Sequence, residues 1–313
     1  MAQLLGLTIL SFFITGILLF PFIDFLYSKK LQRQKQKTRD IFNNRTPLFD
    51  KFNAWKVGTP FGGGILIILV VSVLTLWVGL LGLYDDIKKL INGRKTVFFG
   101  LRFRHKFLIQ WILALIIATV LYAQLGYSFV FVRGFGLADI GLLFIPFAAF
   151  VIVSFVNAFN IADGLDGLAP GLLLICLVAF LAISSQQLDQ QLGIFIAILM
   201  GSVAAFLYFN IYKARLWLGD VGSLSLGAAL AVIGLLTGKI IALGIIGGVF
   251  VIEIGSSLIQ ILGKKFLRKK IFPVAPFHLY LLKRGWEEPK IVMRAWLFGF
   301  FFAVLGLYLA FIR

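Results

Sequence analysis

Apolar runs recur along the whole chain, at about 4–27, 61–84, 107–125, 138–157, 168–186, 192–211, 223–238, 240–262 and 291–312, with short polar stretches between them. A helix of about 20 apolar residues crosses a bilayer. Lipid offers backbone groups no partner outside their own segment, so each run is read as helical. The pattern predicts an all-α polytopic transmembrane bundle of about nine spans, forming one membrane domain over residues 1–313. The first run has no basic residue before it and is too long for a signal-peptide core, so it is read as a retained span.

The polar stretches sort by charge. Residues 28–60 carry nine Lys/Arg, 85–106 carry seven, 263–290 carry eight, and Lys213 and Arg215 share a shorter loop. These blocks hold 26 of the 30 basic residues and are placed in the cytoplasm. The connections near 126–136, 187–191 and 238–240 hold only Arg133 and Lys239 and read as external. Sides alternate consistently from residue 85 onward. The run 61–84 breaks the alternation, because basic blocks flank it on both sides. Two helices of half its length would each reach about 18 Å, short of a hydrocarbon core about 30 Å thick. Either one block is outside, or the segment re-enters, or a span is missing there.

Composition agrees. The chain is 60% hydrophobic, where soluble domains sit nearer half. Its net charge of +17 would suggest nucleic acid in a soluble protein. Here the blocks are explained by topology and by anionic headgroups of the bilayer, and nucleic acid is not an expected partner. Cys176, the only cysteine, lies in an apolar run, which excludes an intrachain disulfide.

Five acids stand out beside span ends in cytoplasmic loops: Asp85, Asp86, Asp163, Asp166 and Asp220. They lie in Gly82-Leu-Tyr-Asp85-Asp86-Ile-Lys88-Lys89, in the polar turn Asn157-Ala-Phe-Asn160-Ile-Ala-Asp163-Gly-Leu-Asp166-Gly, and in Leu218-Gly219-Asp220-Val-Gly222-Ser223. A lone Asp usually balances a basic loop. Three such clusters at one bilayer face instead suit a hard cation with oxygen ligands, best Mg²⁺ with substrate phosphates. Lys56, Lys89 and Lys106 lie near enough in sequence to hold those phosphates. The glycines allow tight turns and close backbone approach to a ligand. Gly222 and Ser223 are expected to open the next helix, whose free N–H groups favour an anion. Gly58-Thr59-Pro60-Phe-Gly62-Gly63-Gly64 lacks a P-loop ending, so helix packing is its better reading. Glu253, inside a span, is equally a functional acid and an interhelical hydrogen-bond partner.

At these loops the chain resembles the polyprenyl-phosphate N-acetylhexosamine-1-phosphate transferases, most of all their muramoyl-pentapeptide branch, from about Lys56 to Trp296. The matching motifs are Lys56-Val-Gly-Thr59-Pro60-Phe-Gly62-Gly63, Asp85-Asp86-Ile-Lys88-Lys89, Gly100-Leu101 with Lys106 and Gln110, the complete run Asn157–Ala169, and Gly219-Asp220-Val-Gly222-Ser223 with Asn210 before it. Val251-Ile-Glu253…Gln260 resembles the family's late bent helix, and Gly285-Trp286-Glu-Glu-Pro-Lys290…Arg294-Ala-Trp296 its muramoyl-specific ending. The resemblance implies a multi-pass enzyme of the bacterial inner membrane with its cleft at the cytoplasmic face. It would pass phospho-N-acetylmuramoyl-pentapeptide from a UDP-linked donor to undecaprenyl phosphate, releasing UMP, with Mg²⁺ as cofactor; a dimer is what the family suggests. By resemblance Asp85, Asp86 and Asp220 are the catalytic residues: Asp220 is the Mg²⁺ ligand, and Asp85 and Asp86 engage the lipid phosphate, with Asp85 the candidate base. Lys56, Thr59, Lys89, Lys106, Asn157, Asn160, Asp163, Asp166, Asn210, Ser223 and His278 hold substrate, and Trp217 takes the place of an aromatic that stacks on uracil. The chain departs from the family twice. Three consecutive His are replaced by His278-Leu279-Tyr280, and one span stands at 61–84 where the family has two, for ten in all. The rival readings are a sister enzyme that uses UDP-N-acetylglucosamine, a non-catalytic relative, and a secondary transporter. A transporter predicts polar groups at the midplane, where only Glu253 lies.

Overall fold

The computed structural model describes residues 2–32, 45–52, 54–70, 103–132 and 136–312. Asp85, Asp86, Lys89 and most of the run 61–84 lie outside the described residues. The helices are α1 (Ala2–Ser28), α2 (Pro47–Phe52), α3 (Gly64–Val70), α4 (Phe103–Ala123), α5 (Phe144–Ala162), α6 (Leu168–Gln186), α7 (Gln190–Asn210), α8 (Gly219–Leu236), α9 (Ile240–Ile246), α10 (Gly248–Phe266), α11 (Phe277–Lys283) and α12 (Glu288–Phe311). Among the described residues seven helices are long and apolar enough to cross a membrane, and the α9–α10 pair makes an eighth, bent span. The all-α polytopic expectation is met.

Helix α8 is the hub. Its spanning stretch is 83% buried, against 28% for α1, α4 and α12 at the periphery. Close approach rests on small residues, as between helices in lipid. A Cβ on Gly227 of α8 would come within 2.8 Å of the Phe155 carbonyl on α5. Ser11 and Thr15 of α1 hydrogen-bond Ser202 of α7 at 2.8 and 3.1 Å. Gly64 of α3 lies so close to Gly222 of α8 that a Cβ there would collide with the partner backbone. Gly64→Ala is therefore expected to part α3 from α8 and lower stability by about 1–3 kcal/mol, the range for overpacking, read as earlier thermal unfolding in detergent. Unchanged unfolding would mean that α3 is free to shift.

The two ends of the bundle differ. At one end a hairpin of β1 (Phe129–Val132) and β2 (Gly136–Asp139) meets the α8–α9 turn through Phe131 N–H to Gly238 O, 3.4 Å. Gln187 reaches the same turn, donating to Thr237 O at 3.0 Å. These are the three connections read as external. The hairpin itself departs from the all-helical reading, its strands being too short to show alternation. At the other end lie Lys56, the α5–α6 and α7–α8 turns, and the start of α12.

Three boundaries move, each with a cause. Helix α5 runs through Asn157 and Asn160 to Ala162, so both Asn lie on a helix face and only residues 163–167 turn. Helix α8 opens at Gly219, with Asp220 in its first turn, where a carboxylate meets the positive end of the helix dipole. Gly222 and Ser223 thus lie inside the helix. The run 240–262 is two helices at 80°. Gly247 and Gly248 sit at the bend, and a Cβ on either would press into the Phe155 ring (2.7 Å) or the Phe302 ring (2.9 Å).

Candidate active site

The turn between α5 and α6 is held from three sides. Asp163 closes α5, donating its N–H to Phe159 O at 2.9 Å, and Gly167 takes φ +77° to start α6. The Asp166 N–H donates to Glu288 Oε1 at 2.7 Å, and the Gly167 N–H to Asn210 Oδ1 at 3.0 Å. The Asp166 carboxylate accepts from the Ala214 N–H at 2.9 Å and from Lys56 Nζ at 3.3 Å. Lys56 Nζ also lies 2.9 Å from Glu288 Oε1 and donates to Gly164 O at 3.0 Å. All four side chains, Lys56, Asp166, Asn210 and Glu288, are buried, Lys56 to 1% exposure. Buried charges persist only when paired and hydrogen-bonded; here one ammonium is shared by two carboxylates. The Trp217 ring lies 4.8 Å from the same ammonium, and Thr59 follows in the turn after Lys56, its N–H on Lys56 O.

A second, more open group gathers at the start of α8. Lys106 of α4 donates to Asp220 Oδ2 at 2.9 Å, and both side chains are 17% exposed. Asn160 Nδ2 reaches Asp220 Oδ1 at 3.3 Å and Ser223 Oγ at 2.7 Å. One turn earlier on α5, Asn157 donates to Gln110 of α4 at 2.9 Å. Asp163 caps the end of α5 and begins the turn. The oxygen donors here are hard: the Asp220 carboxylate, the Asn160 amide and the Ser223 hydroxyl. They suit Mg²⁺, which takes one or two carboxylates and completes its shell with phosphates and water. Among the described residues no group of three His, Cys, Asp or Glu could hold a metal ion.

His278 sits behind the turn. Its Nδ1 lies 2.9 Å from Glu253 Oε2, and a Cβ on Gly164 would come within 2.6 Å of its Nε2. Glu253 thus joins α10 to α11 through the one His of its motif. Of the residues expected from sequence, Asn160, Asp220, Ser223 and Lys106 meet in the open group, while Lys56, Asp166 and Asn210 meet in the closed one. Glu288 was missed as a site residue. Its signal was present, an acid before Pro289 at a helix start, but its partner Lys56 lies too far along the chain to suggest itself.

Comparison with known proteins agrees with these motifs. The model of glycosyl transferase family 4 matches residues 68–238. The phospho-N-acetylmuramoyl-pentapeptide-transferase of Geobacillus kaustophilus (strain HTA426) is 34% identical over 322 residues, covering 96% of this chain and 95% of the relative. That of Borreliella burgdorferi (strain ZS7) is 34% identical over 290 residues, covering 80% and 82%. That of Pelagibacter ubique (strain HTCC1062) is 33% identical over 340 residues, covering 95% and 90%. With the family matched over more than half of its residues and these relatives alike along most of its length, the chain belongs to glycosyl transferase family 4, on the branch of the phospho-N-acetylmuramoyl-pentapeptide-transferases.

Proposed function

We propose that this chain transfers phospho-N-acetylmuramoyl-pentapeptide from its UDP-linked donor to undecaprenyl phosphate within the bacterial inner membrane, giving lipid I and UMP. A phosphate oxygen of the lipid attacks the β-phosphorus of the donor. The bond from that phosphorus to the bridging oxygen breaks, and UMP leaves with the electron pair. The observation that carries the reading is the meeting of Asp220, Asn160, Ser223 and Lys106 in an accessible group at the end of the buried helix α8.

Asp220 would hold Mg²⁺ in that group, and Asp163 would bind the nucleotide. Once bound, the ion would neutralise charge developing on the phosphate oxygens. Lys106, already at Asp220, is placed to turn its ammonium to a phosphate, and the Asn160 amide keeps the Asp220 carboxylate oriented. Trp217 would stack the uracil, beside a turn that Lys56 and Glu288 keep in one shape. His278, tied to Glu253 and packed under Gly164, would set the height of that turn. Asp85 and Asp86 would engage the lipid phosphate. A phosphate monoester is largely dianionic near neutral pH, so positioning and charge neutralisation carry most of the step. The basic loops at this end of the bundle support a cytoplasmic position for the site.

The test is turnover by purified protein with undecaprenyl phosphate, Mg²⁺ and either UDP-N-acetylmuramoyl-pentapeptide or UDP-N-acetylglucosamine. UMP and a lipid-linked product are expected with the first donor. Turnover with UDP-N-acetylglucosamine alone would overturn the proposal. Chelation by EDTA is expected to stop the reaction and added Mg²⁺ to restore it; full activity in EDTA would remove the metal from the scheme.

A further inference from the structure

The last turn of α10 and the residues that follow it take no part in the proposed chemistry. They read Lys264-Lys265-Phe266-Leu267-Arg268-Lys269-Lys270, five cations in seven residues. No acid lies between Glu253 and Glu287, and Glu253 is engaged by His278. Lys265, Arg268, Lys269 and Lys270 are exposed, and so are Phe266 (70%) and Leu267 (63%) between them.

This turn is firmly built. Gln260 Oε1 accepts the N–H groups of Ile271 and Phe272 at 3.0 and 2.9 Å, and its Nε2 donates to Phe272 O at 2.8 Å. A Cβ on Gly263 would come within 2.6 Å of Ile271, so the chain is folded tightly back on α10. Arg268 takes φ +50°, and the Lys269 N–H reaches back to Gly263 O at 3.4 Å. Helices commonly end in such a left-handed residue, and it is usually glycine, because a side chain there strains the backbone. Arginine holds the position although the turn already repels itself over distances well inside the screening length. Helix α10 leads up to it with an outward apolar stripe, Val251, Ile252, Leu258, Ile259 and Leu262, at helical spacing. An apolar stripe that ends in an exposed Phe-Leu pair ringed by cations matches the water–lipid boundary, with side chains in the acyl region and charges on anionic headgroups.

We propose that the Lys264–Lys270 turn is a docking surface for the headgroups of anionic phospholipids. The proposal requires the chain to lie in a bilayer and is independent of the transfer reaction. For the test, full-length protein carries a fluorophore on Phe266→Cys, Cys176 being buried out of reach. It is placed in phosphatidylcholine vesicles containing either brominated phosphatidylglycerol or brominated phosphatidylcholine at equal mole fraction. Several-fold stronger quenching by the glycerol lipid is expected, and the difference should close as salt rises. It should also close when Lys265, Arg268, Lys269 and Lys270 are all changed to Gln, with thermal unfolding confirming that this variant folds. Arg268→Gly separates charge from shape: glycine relieves the backbone, so the unfolding temperature should rise while the lipid preference falls. Equal quenching by the two lipids overturns the proposal. So does a preference for undecaprenyl phosphate with none for phosphatidylglycerol, which would mark an acceptor contact instead.

Discussion

Replacing Asp220 by alanine is expected to lower turnover by about 10²–10³ while the bundle stays folded. That is the size of loss that follows removal of one preorganised electrostatic contact at a reacting centre. The side chain is 17% exposed and sits in the first turn of α8, so its loss opens no cavity in the apolar core. Its removal takes one partner from Lys106 and one from the Asn160 amide, which keeps Ser223. Asp220→Asn is the stricter variant, since it keeps the volume and one oxygen while losing the charge. Both variants should unfold near the wild-type temperature. Wild-type turnover in Asp220→Asn would exclude this carboxylate as the metal ligand. A large fall in stability would instead make the Lys106–Asp220 pair structural.

The helices were legible because lipid permits little else. Every apolar run outside 61–84 corresponds to a helix or to the bent α9–α10 pair. What failed were rules that equate polar residues with turns. Asn157 and Asn160 look like loop residues, yet both are helical, since Gln110, Asp220 and Ser223 satisfy their amides across helices. The bend at Gly247 leaves no proline to announce it. It depends on the Phe155 and Phe302 rings, which are distant in sequence. In the site, the motifs identified which polar residues gather at one end. They did not separate the open group at Asp220 from the closed group at Lys56, because that division depends on burial. It is set by Glu288, which arrives from the far end of the chain to share the Lys56 ammonium with Asp166.

Lys56→Met should be among the most destabilising changes in the molecule, by about 3–5 kcal/mol, the usual cost of breaking a buried ion pair by removing one partner. The methionine fills most of the space, so the penalty is electrostatic. Asp166 and Glu288 would face each other as buried carboxylates with their shared cation gone. Glu288→Gln tests the same knot from the other side. The amide oxygen can still accept from the Asp166 N–H, and Asp166 then pairs alone with Lys56, so the expected loss is smaller, about 1–2 kcal/mol. The double variant removes one cation and one anion together. It should be less destabilised than the sum of the singles, because neighbouring groups in one network couple. Thermal unfolding of the four proteins in one detergent gives the comparison. Strict additivity, or a Lys56→Met chain as stable as wild type, would show that the ammonium does not hold this turn. Turnover adds a second readout. The turn carries Asp163 and Gly164 at its start and is pinned at Asp166 and Gly167, so loosening it should raise KM for the UDP-linked donor more than KM for undecaprenyl phosphate.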